Sequence, residues 1–131
     1  MAQAFLRNHR VFESLASLRF PVVAAISGCC LGAGLELALA CRFRIAAPRS
    51  VFSVPETTFG LIPGCGGTVR LPGLVGVGTA IELILSGRSL LADEALEIGL
   101  VDRVVAKDQL LAEAIRLIDG VPGIAGMGGP L

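Results

Sequence analysis

The chain has 131 residues, of which 53% are hydrophobic, 17% charged and 5% aromatic, with neither Trp nor Tyr. That length suits one domain with an aliphatic, small-residue core, and folding would bury about two-thirds of the surface the unfolded chain exposes. Eleven basic and eleven acidic residues cancel, which leaves no source for the attraction that nucleic acid or an anionic membrane surface requires, so neither is expected as a partner.

From Gln3 to Leu18, the residues Phe5, Phe12, Leu15 and Leu18 recur at helical spacing among Arg7, Arg10 and Glu13, which predicts an amphipathic helix. The same charges interrupt the N-terminus before any apolar run, so no signal peptide is expected and the location is read as cytoplasmic. Pro21 ends the helical pattern, and Val22 to Ile26 has the length and branching of a buried strand. The run from Pro21 to Cys41 carries only Glu36 as a charge and is flanked by Arg19 and Arg42, a pattern that could pass for a spanning helix. Gly28, Gly32 and Gly34 break it, and a central carboxylate would add roughly 2.5–3.5 kcal/mol to insertion, so no membrane span is expected.

After the glycine-rich turn, Leu35 to Cys41 reads as a short helix buried on most sides. Phe43 to Ala46 and Val51 to Val54 are strand-like, joined by a Pro48-Arg49-Ser50 turn, and a second glycine-rich loop follows with glycines at 60, 64, 66 and 67. Thr79 to Glu82 fits a capping box and Gly87 a left-handed stop. Ala92 to Ile98 predicts a helix ended by Gly99, Val101 to Val105 a strand, and Asp108 the cap of an amphipathic helix to about Ile118. The breaker-rich stretch 120–131 predicts a disordered tail after a core of residues 1–119. Short strands alternating with short helices indicate an α/β fold.

Two features could carry chemistry. The turn Gly28 to Gly34 places small residues where a strand meets a helix, so amides near Gly32, Ala33 or Gly34 could approach an acyl oxygen and stabilise negative charge there. A purely structural turn fits equally. The nucleotide alternatives are weaker, since the first loop lacks the third glycine of a dinucleotide fingerprint and the second lacks the P-loop lysine. The other feature is a pair of carboxylates in apolar surroundings, Glu36 two residues after the first glycines and Glu56 beside the second. Such groups need a hydrogen bond, a partner or a proton, and they are either structural or acid/base residues. The four cysteines form no C-x-x-C pair, no metal site is indicated, and Cys65 between glycines reads as a small turn residue rather than a nucleophile.

The segments FPVVAAISGCCLGAGLELALACRFRIAA and FSVPETTFGLIPGCGGTVRL, continued by ILSGRSLLADEALEIGLVDRVV, resemble the crotonase (enoyl-CoA hydratase/isomerase) family. The resemblance implies a partial superhelix of β-β-α units and a substrate that is an acyl-CoA thioester, with coenzyme A entering as part of the substrate and no separate cofactor. It implies that Glu36 orients and deprotonates a water, that Glu56 protonates the α-carbon, and that Ala33, in the middle of the Gly32-Ala33-Gly34 triplet, donates one oxyanion amide. Gly64 would approach the acyl group through its backbone. Both carboxylates together favour hydration of an enoyl-CoA over the isomerase and other activities of relatives that lack one. Trimers or hexamers are usual in the family. The family's N-terminal portion, with the second oxyanion amide and most CoA contacts, and its C-terminal helices have no counterpart here, which implies that a complementing chain could be needed and leaves a non-catalytic fragment as the alternative. Arg42 stands where the family usually has an acidic residue.

Overall fold

A computed structural model describes residues 13–54 and 67–123. Of the predicted first helix, the part before residue 13 lies outside the described residues, and 13–16 is helical. Two small sheets follow. Strands β1 (Val23–Ile26), β3 (Phe43–Ala46) and β6 (Arg103–Val104) form a parallel sheet in the order β1-β3-β6. Strands β2 (Cys29–Leu31), β4 (Val51–Ser53) and β5 (Leu90–Leu91) form the second, with β4 parallel to β2 and antiparallel to β5.

The helices are α1 (Ala33–Leu39), α2 (Gly67–Val75), α3 (Val77–Ser86), α4 (Ala92–Glu97) and, after a 3-10 turn at Lys107–Gln109, α5 (Leu110–Asp119). The chain passes from the first sheet to the second twice, at Ser27–Gly28 and at the turn before β4, and each strand pair leads on towards a helix. This is the mixed α/β arrangement that the sequence indicated.

Alternation along the strands explains the layering. Ala24, Ile26, Ala46 and Val104 pack into the main core with Leu35, Leu39, Phe52, Leu71 and Leu100, whereas Val23, Ile45, Ala47 and Val105 join Leu110, Ala114 and Leu117 of α5 in a second cluster. Both faces of the parallel sheet are therefore covered, which is why its strands read as continuous apolar runs. Helix α5 packs across β1 and β3 and leaves Leu111 exposed on its outer side.

Four local expectations are corrected. Cys29–Leu31 is a strand, although three residues between glycines look like part of a turn. Gly67–Val75 is helical despite its glycines and an internal Pro72, because Leu71 and Leu74 pack into the core and outweigh weak local propensity. Thr79 is no cap: α3 begins two residues earlier, after Gly76, and Glu82 instead accepts from Arg88 Nε at 2.6 Å. Asp108 lies within the 3-10 turn and makes no capping hydrogen bond. Gly87 does end α3 in the left-handed conformation, as expected.

Gly99 terminates α4 at φ +88°, and a Cβ there would lie 2.9 Å from the Leu74 carbonyl oxygen of α2. Both the backbone angle and the contact oppose a side chain. Gly99→Ala is expected to destabilise the fold by roughly 1–3 kcal/mol, read as a lower urea midpoint with an unchanged slope.

Candidate active site

Parallel pairing of β2 with β4 sends the segments that follow them off the same edge of the second sheet. The register sets Leu31 opposite Ser53, and the Gly32 amide donates to the Ser53 carbonyl at 3.1 Å. Gly32 adopts φ 54° and ψ −121°, a conformation that a side chain would strain. It is the pivot between strand and helix. Its amide is committed to Ser53, so among the predicted triplet Gly32 shapes the turn rather than donating outward.

Ala33 and Gly34 open α1, where an amide has no intrahelical carbonyl to reach. Both are exposed, and a Cβ built on Gly34 would meet open space. Gly34 also lines an apolar cleft of about 340 Å³ with Leu37 and Ala38 of the same helix, Cys41 just beyond its end, and residues of β1. Of the triplet, Ala33 and Gly34 are the exposed residues and Gly32 is partly buried.

Glu36 lies one turn into α1 and is 2% exposed, on the buried side that includes Leu35 and Leu39. Its amide closes the first helical turn on the Gly32 carbonyl at 3.0 Å. Helix α1 packs against α2, and its buried residues are Leu35, Glu36, Ala38 and Leu39. Glu56, Gly64 and Cys65 lie outside the described residues. Glu56 comes two positions after Val54, which ends the β4 segment buried in the same core as Leu35.

Sequence reasoning passed over Arg44. Only 4% exposed, it donates from Nε to the Leu100 carbonyl at 2.8 Å and from Nη1 to the carbonyls of Cys41 at 2.7 Å and Ala38 at 3.3 Å. Its amide donates to Asp102 Oδ2 at 2.9 Å, and Nη2 stands 3.9 Å from the same oxygen. The guanidinium thereby fastens the carboxyl end of the Glu36 helix to the segment entering β6. Burial pulls its pKa down, while Asp102 and then Cys41 act in the opposite direction. One sequence signal was present: a lone cation inside the apolar strand Phe43–Ala46 must find acceptors, and Asp102 beside Val101 is its acidic counterpart.

Cys30 and Cys41 are buried and Cys29 is exposed. Burial, with a smaller contribution from Cys41, pushes the Cys30 thiol from 9.0 up to about 11. Because the folded state holds that proton to higher pH than the unfolded chain, the stability linked to it is fully present below pH 9 and is lost as pH rises to about 11. A decline on the order of 2 kcal/mol across that window is expected in urea unfolding, and it should shrink in Cys30→Val. Among the described residues no group of three His, Cys, Asp or Glu side chains is placed to hold a metal ion, and no helix is long and apolar enough to cross a membrane.

The model of the enoyl-CoA hydratase/isomerase family matches residues 4–121. The chain belongs to this family. It is 51% identical over 113 residues to the fatty acid oxidation complex subunit alpha of Shewanella halifaxensis, an alignment covering 85% of this chain and 16% of that protein. Among solved structures it superposes on an enoyl-CoA hydratase from Bacillus anthracis with a TM-score of 0.86 and 47% identity, covering 90% of this chain and 46% of that one. A probable enoyl-CoA hydratase/isomerase from Mycobacterium abscessus gives 0.87 and 37%, covering 94% and 50%. This crotonase chain therefore spans about half the length of those solved relatives and a much smaller share of the oxidation-complex subunit.

Proposed function

We propose that this chain supplies the carboxylate-bearing half of a hydratase site that adds water across the α,β double bond of an enoyl-CoA. The observation that carries the reading is the Gly32 to Ser53 hydrogen bond. It draws the helix bearing Glu36 and the strand leading to Glu56 to one edge of a sheet, beside the exposed residue Ala33. In the proposed reaction Glu36 removes a proton from water as its oxygen bonds to the β-carbon. The electron pair of the double bond moves towards the thioester oxygen, where the Ala33 amide and a second amide stabilise the charge. Glu56 then delivers a proton to the α-carbon, and Gly64 borders the acyl group through its backbone. Coenzyme A enters as part of the substrate, and the chemistry calls for no further cofactor or metal.

A second reading keeps the same chemistry but has the site completed from outside the residues given, including by assembly with further copies in a trimer or hexamer. Val77, Ile81 and Leu85 support assembly, because they leave an apolar stripe exposed along α3.

Hydration of crotonyl-CoA by the purified chain tests the proposal. Activity should appear in the wild type and fall by about 10²–10⁴ in Glu56→Gln. If both are equally inert under conditions that support a full-length crotonase, catalysis by this chain alone is excluded. Activity recovered only on adding the other half of a relative would select the second reading.

A further inference from the structure

Strands β1, β3 and β6 run parallel, so their carboxyl ends share one edge, and the connections that follow enclose a cleft of about 480 Å³. The segment after β1 contributes Ser27 and Gly28, the turn after β3 contributes Pro48 and Arg49, and the segment after β6 contributes Ala106 and Lys107. This edge belongs to the first sheet, whereas the Gly32 turn and Glu36 follow a strand of the second. We propose that the cleft binds an organic phosphate monoester, a site separate from the proposed hydratase chemistry.

Four observations support this. The carboxyl edge of parallel strands is where α/β sheets commonly hold ligands, and a volume within the ordinary range for small-molecule sites exceeds what a bare phosphate needs. Arg49 and Lys107 reach the cleft from different connections, and among the described residues neither forms an ion pair and no carboxylate lines the cleft. Two unopposed cations match the charge of about −1.5 to −2 on a phosphate monoester near neutral pH, and the guanidinium fork fits its oxygens.

The floor is also fixed in advance. Ser50 Oγ donates to the Ile26 carbonyl at 3.1 Å, and the amides of Val51 and Ser50 donate to Gly28 and Ala47, each at 3.0 Å. These bonds hold the Arg49 turn against the end of β1 without using the exposed Ser27 hydroxyl. Ala47, Pro48 and Ala106 give apolar walls that suit a carbon skeleton rather than a second charge.

The test is an amide chemical-shift titration of the full ¹⁵N-labelled chain with phenyl phosphate at low salt, alongside inorganic phosphate and phenol. Saturable shifts are expected at residues 27–28, 47, 49–50 and 106–107. Affinity should weaken about tenfold in Arg49→Gln and in Lys107→Gln, and stay unchanged in the exposed control Arg103→Gln. Both variants alter exposed side chains, and the spectrum itself reports whether each remains folded. Absence of saturable shifts in the cleft, or equal affinity in the Arg49 and Lys107 variants, would overturn the site. Equal binding of phenol would remove the role of the cations, and equal binding of inorganic phosphate would remove the role of the apolar walls.

Discussion

Replacing Arg44 by alanine is expected to lower the free energy of unfolding by about 3–5 kcal/mol, the range for removing one partner from a buried charged network. The figure follows from what the variant leaves behind. The carbonyls of Cys41 and Leu100 lose the Arg44 donor in a buried setting, while that of Ala38 keeps the Cys41 amide at 3.0 Å, and each orphaned acceptor carries a desolvation penalty of about 1–3 kcal/mol. Asp102 is less affected because its side chain is 38% exposed and can rehydrate. The pair therefore contributes less than the carbonyl contacts. Arg44→Lys should fall between, since an ammonium keeps the charge but cannot reproduce the planar fork that serves Leu100 on one side and Cys41 on the other. Urea unfolding with both variants checks the order. A loss below about 1 kcal/mol in Arg44→Ala would mean that water reaches those carbonyls, contrary to the burial described.

Glu36→Gln should separate chemistry from stability more sharply than any other single change. Glutamine keeps the shape of the side chain and removes its charge and its basicity. Because glutamine keeps the length and hydrogen-bonding reach of a side chain that is 2% exposed, the variant is expected to stay folded, with a loss of no more than about 1–3 kcal/mol. Crotonyl-CoA hydration, by contrast, should drop by about 10²–10⁴ through kcat, as general-base loss predicts. A carboxylate that only buttresses α1 would give the reverse pattern, with hydration retained and the urea midpoint lowered. Measuring both quantities on the same protein decides between them.

The residues that could be read from the sequence are those whose neighbours in the chain already state their surroundings. Phe43–Ala46 announced its strand because apolar residues dominate it and both faces are covered, and Glu36 stood out as the single charge in the run from Pro21 to Cys41, whose helical part from Leu35 onward is mostly buried. Gly87 and Gly99 marked helix ends because positive φ at those stops favours glycine. What escaped was set by distant partners. The strand Cys29–Leu31 exists because Val51–Ser53 pairs with it, and helix Gly67–Val75 holds its proline because Leu71 is sealed in the core. Thr79 and Asp108 had the right local chemistry for caps, yet packing moved the helix boundaries past them. The role of Arg44 depends on carbonyls on both sides of it in the chain, and no short window of sequence contains them all.

The strand order β1-β3-β6 also has a bearing on time. Arg44 and Asp102 are 58 positions apart, with β4, α2, α3, β5 and α4 intervening, so β6 docks only after a long stretch of chain has been gathered in. Closing such a loop is slow compared with forming any one helix. The guanidinium should therefore find its last acceptors after the main barrier to folding has been crossed. Its contacts would then act chiefly as a brake on unfolding, making Arg44 variants fast to open but nearly normal to refold.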